Sequence, residues 1–175
     1  SFVFRPMLRN QIYYRLKPFI PYRLRMAIRS RRAARLRETT KDIWPILPGS
    51  ERPPEGWTGW PEGKKFAFVL THDVEGPDGL ARCRELMDVE QELGFRSSFN
   101  FIPAGSYRVP DALREETVRR GFEVGVHDHK HDGFLFLSSS GFKRSAPEIN
   151  RTIKEWGASG FRSGFMLGNL DWIHQ

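Results

Sequence analysis

A strand-like segment followed by a helix-like segment recurs along the chain from residue 66 onward. Runs suited to strands lie at residues 66–70, 95–102, 122–126 and from 161, and helical spacing of apolar residues is found at 80–93, 111–120 and 142–156. A glycine and then a phenylalanine separate helix from strand at three places: 94–95, 121–122 and 160–161. This alternation predicts parallel βα units in an open sheet or a barrel. In either architecture active sites gather at the carboxyl ends of the strands.

The chain before this region is strongly basic. Residues 1–37 contain eleven Arg and Lys residues and no acidic residue, whereas the rest of the 175-residue chain holds 17 basic and 21 acidic residues. One cysteine, Cys83, excludes an internal disulfide framework. No run of 18 apolar residues predicts a membrane-spanning helix. We therefore predict a basic helical arm at residues 1–39, a Pro/Gly/Trp-rich connector at 40–65 and one α/β domain at 66–175.

The basic arm is expected to form two helical pieces, because Pro18 and Pro21 interrupt any continuous helix. In the second piece Leu24, Ile28 and Leu36 recur on roughly one side among arginines, which is typical of a basic amphipathic helix. Such a helix binds an anionic membrane surface or nucleic-acid phosphates, and the same pattern fits a solvated helix docked on its own domain. Aromatic residues for base stacking are sparse in this piece, which disfavours nucleic acid as the partner.

Side chains that bind metals follow two of the predicted strands. The segment "THDVEG" after the first strand contains Asp73 and Glu75, and "HDHKHDG" after the third contains His127, His129 and His131. Because the carboxyl ends of parallel strands meet at one edge of a sheet, we expect these residues to lie together. Imidazole with carboxylate is the ligand set of zinc or another divalent transition metal, and an open position on such a site activates water.

The inventory of histidines favours a mononuclear site with two histidines and one carboxylate. Outside the cluster the chain has His72 and His174 only, which is too few for a binuclear centre. His127 and His131 are four positions apart, so a helical turn would place both on one face, whereas a continued strand would align all three histidines. A metal-storage cluster, a pH sensor and a plain polar turn are the other interpretations of this segment.

Three segments together resemble a known family. In order and separation, "FAFVLTHDVEG", "FEVGVHDHKHDG" and "FRSGFM" resemble the polysaccharide deacetylases with the NodB-homology domain, the family-four carbohydrate esterases. The resemblance covers residues 66–166 and implies a distorted (β/α) barrel that removes an acyl group from the nitrogen of an N-acetylated sugar, in a polysaccharide or its precursor. About four βα units precede Gln175, so we expect the barrel to be incomplete at its C-terminal end, with the general acid beyond it.

The resemblance also implies which residues hold a metal. His127 and His131 resemble the two histidine ligands, and Asp73 resembles the general base. Glu75 takes the position of the carboxylate ligand in a variant branch that spaces its acids Asp-x-Asp. One divalent ion is implied, zinc first and other transition metals as alternatives. His129 is expected to point away from the other two histidines.

Further roles come from the third segment. Arg162 resembles the arginine that orients the base, and Gly164 stands where proline is usual in the family. Phe165 resembles the aromatic residue whose backbone N–H faces a developing oxyanion. The leading hypothesis is therefore a metal-dependent deacetylase. Two alternatives stay open: an amidohydrolase that opens small cyclic amides or formamides, and a non-catalytic module whose basic arm binds anionic surfaces while the metal is structural.

Overall fold

The computed structural model of the chain describes residues 12–13, 15–43, 48–49, 52–53 and 55–174. The chain divides into two compact units, Ser1–Phe68 and Val69–Gln175. This boundary lies three residues after the predicted end of the connector at Lys65, and the three-part division stays a prediction. Among the described residues, no helix is both long and apolar enough to cross a bilayer.

The main element of the first unit is helix α1, Tyr22–Thr40, which has no buried residue. A short 3-10 turn, Lys17–Phe19, precedes it, and Pro21 caps it with a φ of −53°. At about 100° per residue, Leu24 and Ile28 lie on a different side of α1 from Tyr22 and Met26. Apolar side chains of α1 are therefore found on more than one side of the helix. The first eleven residues of the predicted arm lie outside the described residues, so a helical extension over residues 1–39 stays a prediction.

The second unit is a mixed α/β structure built on a four-stranded parallel sheet, and the coarse fold prediction is confirmed. The strands follow sequence order across the sheet. They are β1, β2, β3 and β4, at Thr71–Val74, Ser98–Phe101, Glu123–His127 and Phe161–Arg162. Four helices follow or separate them: α2 at Pro77–Glu92, α3 at Asp111–Arg119, α4 at Ser139–Trp156 and α5 at Leu170–Ile173.

Two of the three helix ends agree with the glycine pattern in the sequence, and the third helix is followed by Gly157 instead of Gly160. Gly94, Gly121 and Gly157 follow α2, α3 and α4 and have φ values of 78°, 82° and 58°. This left-handed conformation costs glycine little, because glycine has no Cβ. Helix α4 begins after Ser138, whose hydroxyl accepts a hydrogen bond from the N–H of Gly141 at 3.1 Å.

The first strand lies later in the chain than predicted. Residues 66–70 were expected to form a buried strand, but Phe66, Phe68 and Val69 are 73–77% exposed, and the strand is Thr71–Val74. The reason is the partner strand: pairing begins at Thr71↔Ser98, so nothing in β2 lies opposite the preceding apolar residues. The polar "THDV" segment is consequently inside the sheet instead of following it.

Alternation along the strands gives the sheet an apolar face and a polar face. One face packs on helices through a first cluster of buried side chains: Val74, Cys83, Met87, Phe99, Phe101, Val109, Leu113, Phe122 and Val124. A second cluster continues it on Val126, Leu135, Phe136, Phe142 and Ile149. Because successive side chains point to opposite faces, Asp73, Asn100 and Gly125 belong to the other face. They are paired in register across β1, β2 and β3.

Candidate metal centre

The sheet brings the predicted ligands together at the carboxyl end of its strands. Asp73 lies within β1 and Glu75 directly follows that strand, while His127 is the last residue of β3 and His131 is in the loop after it. β2 separates the two strands, so residues more than fifty positions apart in sequence meet at one edge. The expectation that strand ends would assemble the site agrees with this arrangement.

Three side chains converge on one point. The Oε1 atom of Glu75 lies 3.4 Å from Nε2 of His131 and 3.7 Å from Nε2 of His127. One ligand atom from each residue fits within a span of 4.8 Å. Zinc bonds of about 2.0–2.1 Å in tetrahedral geometry separate ligand atoms by about 3.3 Å. Small side-chain movements are enough to place all three atoms around one ion.

His127 shows most directly that the group fits a metal. Its side chain is 2% exposed, and its Nδ1 lies 3.2 Å from the backbone carbonyl oxygen of Arg162. A carbonyl only accepts hydrogen bonds, so Nδ1 carries a proton, and in the neutral imidazole with that tautomer Nε2 presents a lone pair. This buried Nε2 has no hydrogen-bond partner among the described residues. An orphaned nitrogen beside a carboxylate and a second imidazole matches a metal ligand whose orientation is fixed from behind.

His131 reaches the site through an irregular loop. Neither a helical turn nor a continued strand follows β3, so both geometries considered from the sequence are wrong. Asp128 and His131 instead adopt left-handed backbone conformations, with φ values of 59° and 54°. The Oδ1 atom of Asp128 accepts a hydrogen bond from the N–H of His129 at 2.6 Å, which stabilises the turn. His129 is not in the group of three converging ligands.

Asp73 lies beside the group of ligands. Its Oδ2 is 3.0 Å from Nε of Arg162 and 3.8 Å from Nε2 of His127. Arg162 is held in turn by a 2.9 Å hydrogen bond from its guanidinium to Oγ1 of Thr71. The carboxylate is 26% exposed, so water can reach it. Asp73 thus occupies a place next to the ligands and in contact with the arginine, as expected for the residue predicted to be a base.

Phe165 forms one wall of the site. Its ring stacks on the imidazole of His131, with centroids 4.4 Å apart and planes 24° from parallel. The residue has a left-handed backbone, with a φ of 57°, inside the 3-10 turn Gly164–Met166. The ring of His131 also lies near that of His127, with centroids 4.7 Å apart. A role of the Phe165 backbone N–H toward an oxyanion stays a prediction.

Steric hindrance explains why residue 164 is a glycine in this chain. A Cβ atom at this position would overlap Oδ2 of Asp128 and approach Cδ2 of His131 to 3.1 Å. Asp128 is 2% exposed and follows the ligand His127 directly. A buried carboxylate therefore fills the space that a side chain at residue 164 would need.

Two residues on the polar face of the sheet belong to the surroundings of Asp73 and were not predicted from the sequence. Asn100 lies in the middle of β2 with its amide nitrogen 3.4 Å from Oδ1 of Asp73. Gly125 is its register partner on β3. Asn100 could have been noticed as a polar residue inside the apolar run "SFNF". No sequence pattern pointed to Gly125.

Two other candidates have structural explanations. The Nε2 of His72 is 2.6 Å from Oε1 of Glu90, whose Oε2 accepts a 2.6 Å hydrogen bond from Ser97. This group lies on the helix-packed face of the sheet, away from the ligands. Cys83 is buried, and burial raises the pKa of its thiol to about 11. Little thiolate is therefore present near neutral pH, and a thiol in this state is a weak nucleophile.

Comparisons with known proteins do not identify a function for this site. The chain matches no protein-family model, no curated protein sequence and no solved structure.

Proposed function

We propose that the chain is a metal-dependent hydrolase of amide C–N bonds, and that it removes acetyl groups from an N-acetylated sugar in a polysaccharide or its precursor. The observation that supports this most is the convergence of Glu75, His127 and His131 on one point beside the Asp73–Arg162 pair. Deacetylation needs a metal position and a separate base within a few ångströms of each other, and these five residues provide both.

Each residue has a distinct role in the proposed reaction. Glu75, His127 and His131 would hold the ion, which when bound lowers the pKa of water and polarises the amide carbonyl. Asp73 takes the proton of the attacking water at its carboxylate oxygen. Arg162 pairs with that carboxylate and orients it. The water oxygen bonds to the carbonyl carbon, and the C–N bond breaks as the proton taken up by Asp73 passes to the leaving nitrogen. Acetate, a free amine and one proton are the products.

Zinc is the metal that this donor set favours. Two imidazole nitrogens and one carboxylate oxygen are typical of catalytic zinc sites, which keep a position open for water. Neutral imidazole also binds other divalent first-row ions, so cobalt, nickel and manganese are alternatives.

We also propose the architecture of a (β/α) barrel for this domain. The support is the distribution of side chains: helices cover the apolar face, while the opposite face presents Asp73, Asn100 and Gly125 in register. A barrel places its helices outside and its active site at the carboxyl ends of its strands.

The direct test is product release from defined substrates. The zinc-loaded chain is expected to release acetate and free amine in equal amounts from oligomers of N-acetylglucosamine, and to stop after chelation. Formamide and cyclic-amide substrates are measured in parallel. Turnover of those compounds without turnover of the sugar would favour the amidohydrolase alternative, and stoichiometric zinc binding without any turnover would favour the non-catalytic one.

Helix α1 is proposed to contact an anionic membrane surface. Its arginines are Arg23, Arg25, Arg29, Arg31, Arg32, Arg35 and Arg37, and none pairs with a carboxylate among the described residues. Leu24, Ile28 and Leu36 are 52–60% exposed beside them. Each such cation contributes roughly 1 kcal/mol near an anionic bilayer.

Neutralising four of these arginines should weaken binding to anionic vesicles by about three orders of magnitude, at roughly 1 kcal/mol for each charge. The variant carries glutamine at Arg29, Arg31, Arg32 and Arg35, and co-sedimentation with phosphatidylserine-containing vesicles measures the affinity. A matched control removes four exposed charges of the second unit: Arg119, Lys143, Arg151 and Lys154. Equal losses in both variants, or equal binding to neutral phosphatidylcholine vesicles, would contradict a specific role of α1. Retention on RNA alone would assign the helix to nucleic acid.

A further inference from the structure

Asn100 occupies a central position on the polar face of the sheet. It is 5% exposed and is paired in register with Asp73 on β1 and with Gly125 on β3. Its neighbours Phe99 and Phe101 point to the opposite face and are buried in the core. A buried amide in this position costs free energy unless its donors and acceptor are hydrogen-bonded.

The partners of Asn100 fix the orientation of its amide. Its Nδ2 lies 3.4 Å from Oδ1 of Asp73 and 3.4 Å from the backbone carbonyl oxygen of His72. Both of these atoms are acceptors, so the NH₂ group and not the oxygen faces them. On the other side, the hydroxyl of Ser98 donates to Oδ1 at 3.2 Å. The amide is therefore held in one orientation with its donors directed at β1.

Asp73 consequently has a polar partner at each carboxylate oxygen. The guanidinium of Arg162 on β4 forms an ion pair with Oδ2 at 3.0 Å, and the amide of Asn100 on β2 donates a hydrogen bond to Oδ1. Partners on two different strands restrict rotation of the carboxylate about its terminal torsion, which is otherwise broad. One contact alone would leave the second oxygen free to turn away from the ligands.

Gly125 provides the space for this arrangement. A Cβ atom at residue 125 would overlap Oδ1 of Asn100 and lie 3.1 Å from its Cγ. Any side chain there would push the amide toward Asp73 or force it to rotate. The glycine in "EVGVH" is thus explained by the amide on the neighbouring strand.

We propose that Asn100 is a positioning residue for Asp73 and that Gly125 is required because it accommodates the Asn100 amide. The inference rests on the proposed function, in which Asp73 is the base. Asn100 is not one of the three converging ligands, and its contact with the site is the hydrogen bond to Asp73, so it acts through Asp73. Its removal should slow the chemical step and leave metal and substrate binding intact.

The first experiment compares Asn100→Ala with the unaltered chain, both loaded with zinc. A misplaced base lowers kcat by about tenfold to a hundredfold, while KM and zinc stoichiometry stay the same. Ser97→Ala is the matched control. Ser97 directly precedes the same strand, and its hydroxyl donates a hydrogen bond to Glu90 on the opposite face of the sheet. Loss of zinc affinity in Asn100→Ala, or an equal loss of kcat in Ser97→Ala, would overturn the proposal.

The second experiment tests the role of Gly125. Gly125→Ala should lower kcat by displacing the amide, whereas Asn100→Ala frees the space that the new methyl group needs. The double variant should therefore be no slower than Asn100→Ala alone, a non-additive result. Additive losses would show that the glycine acts independently of Asn100.

A third measurement separates this inference from the proposed function. If the unaltered chain lacks deacetylase activity, the unfolding free energies of Asp73→Ala, Asn100→Ala and the double variant still report whether the two side chains interact. A significant coupling free energy between the two substitutions would support the contact between Asn100 and Asp73. The assigned reaction, and not this contact, would then be wrong. Additive free energies would refute the contact itself.

Discussion

Replacing His127 with alanine is expected to abolish zinc binding at stoichiometric concentrations. The unaltered chain should take up one zinc ion, with affinity reduced at least a hundredfold in His127→Ala. His127 is the most rigid of the three ligands, because it ends β3, is 2% exposed and is bound at Nδ1 by the Arg162 carbonyl. Loss of a partner behind a ligand already costs about tenfold to a hundredfold in metal affinity, and loss of the ligand itself costs more. Competition with a chromophoric chelator measures the effect.

His129→Ala provides the matched control for this measurement. It removes an imidazole from the same loop, two residues away, and His129 does not belong to the converging group. Its zinc affinity should stay within a few-fold of the unaltered chain. A comparable loss in both variants would mean that the histidines bind metal without the assigned geometry, as a storage cluster would.

Replacing Asp73 with asparagine is expected to remove turnover and preserve the metal. Asparagine has nearly the same shape but cannot accept a proton from water at neutral pH. Removal of a general base typically lowers kcat by about 10²–10⁴-fold. Asp73 lies outside the group of three ligands, so zinc stoichiometry should not change. Steady-state kinetics with an N-acetylglucosamine oligomer and metal analysis of the same preparation give the two results together.

Glu123→Gln is the control for the change in net charge that Asp73→Asn introduces. Glu123 is an exposed carboxylate at the opposite end of β3 from the ligands, and its loss should leave kcat and zinc content unaltered. If Asp73→Asn lost zinc, Asp73 would be a ligand and not a base. Retention of full activity would instead require another proton acceptor.

The order of strands and helices was predictable because apolar spacing reflects which residues face the core. The candidate ligands were also predictable from the sequence, because the residues that follow parallel strands lie at one edge of the sheet. The first strand was misplaced for a physical reason: an apolar run becomes a strand only where a neighbour pairs with it, and β2 begins opposite Thr71. Pairing partners are not visible in local hydrophobicity.

The finer geometry of the site depends on contacts between distant residues. His131 faces Glu75 because two residues of its loop adopt left-handed conformations, and spacing rules assume a regular helix or strand. The contact of Asn100 with Asp73 depends on strand register and on empty space at Gly125. None of these features follows from a residue's own type or its near neighbours.

The overlap between a side chain at residue 164 and the carboxylate of Asp128 links two positions that lie in different sequence motifs. Neither can change freely: proline at 164 requires a smaller residue at 128, and aspartate at 128 requires glycine at 164. The pair should therefore be inherited as a unit. Searches for relatives of this chain will gain selectivity if they demand aspartate after the first histidine together with glycine two residues after the arginine.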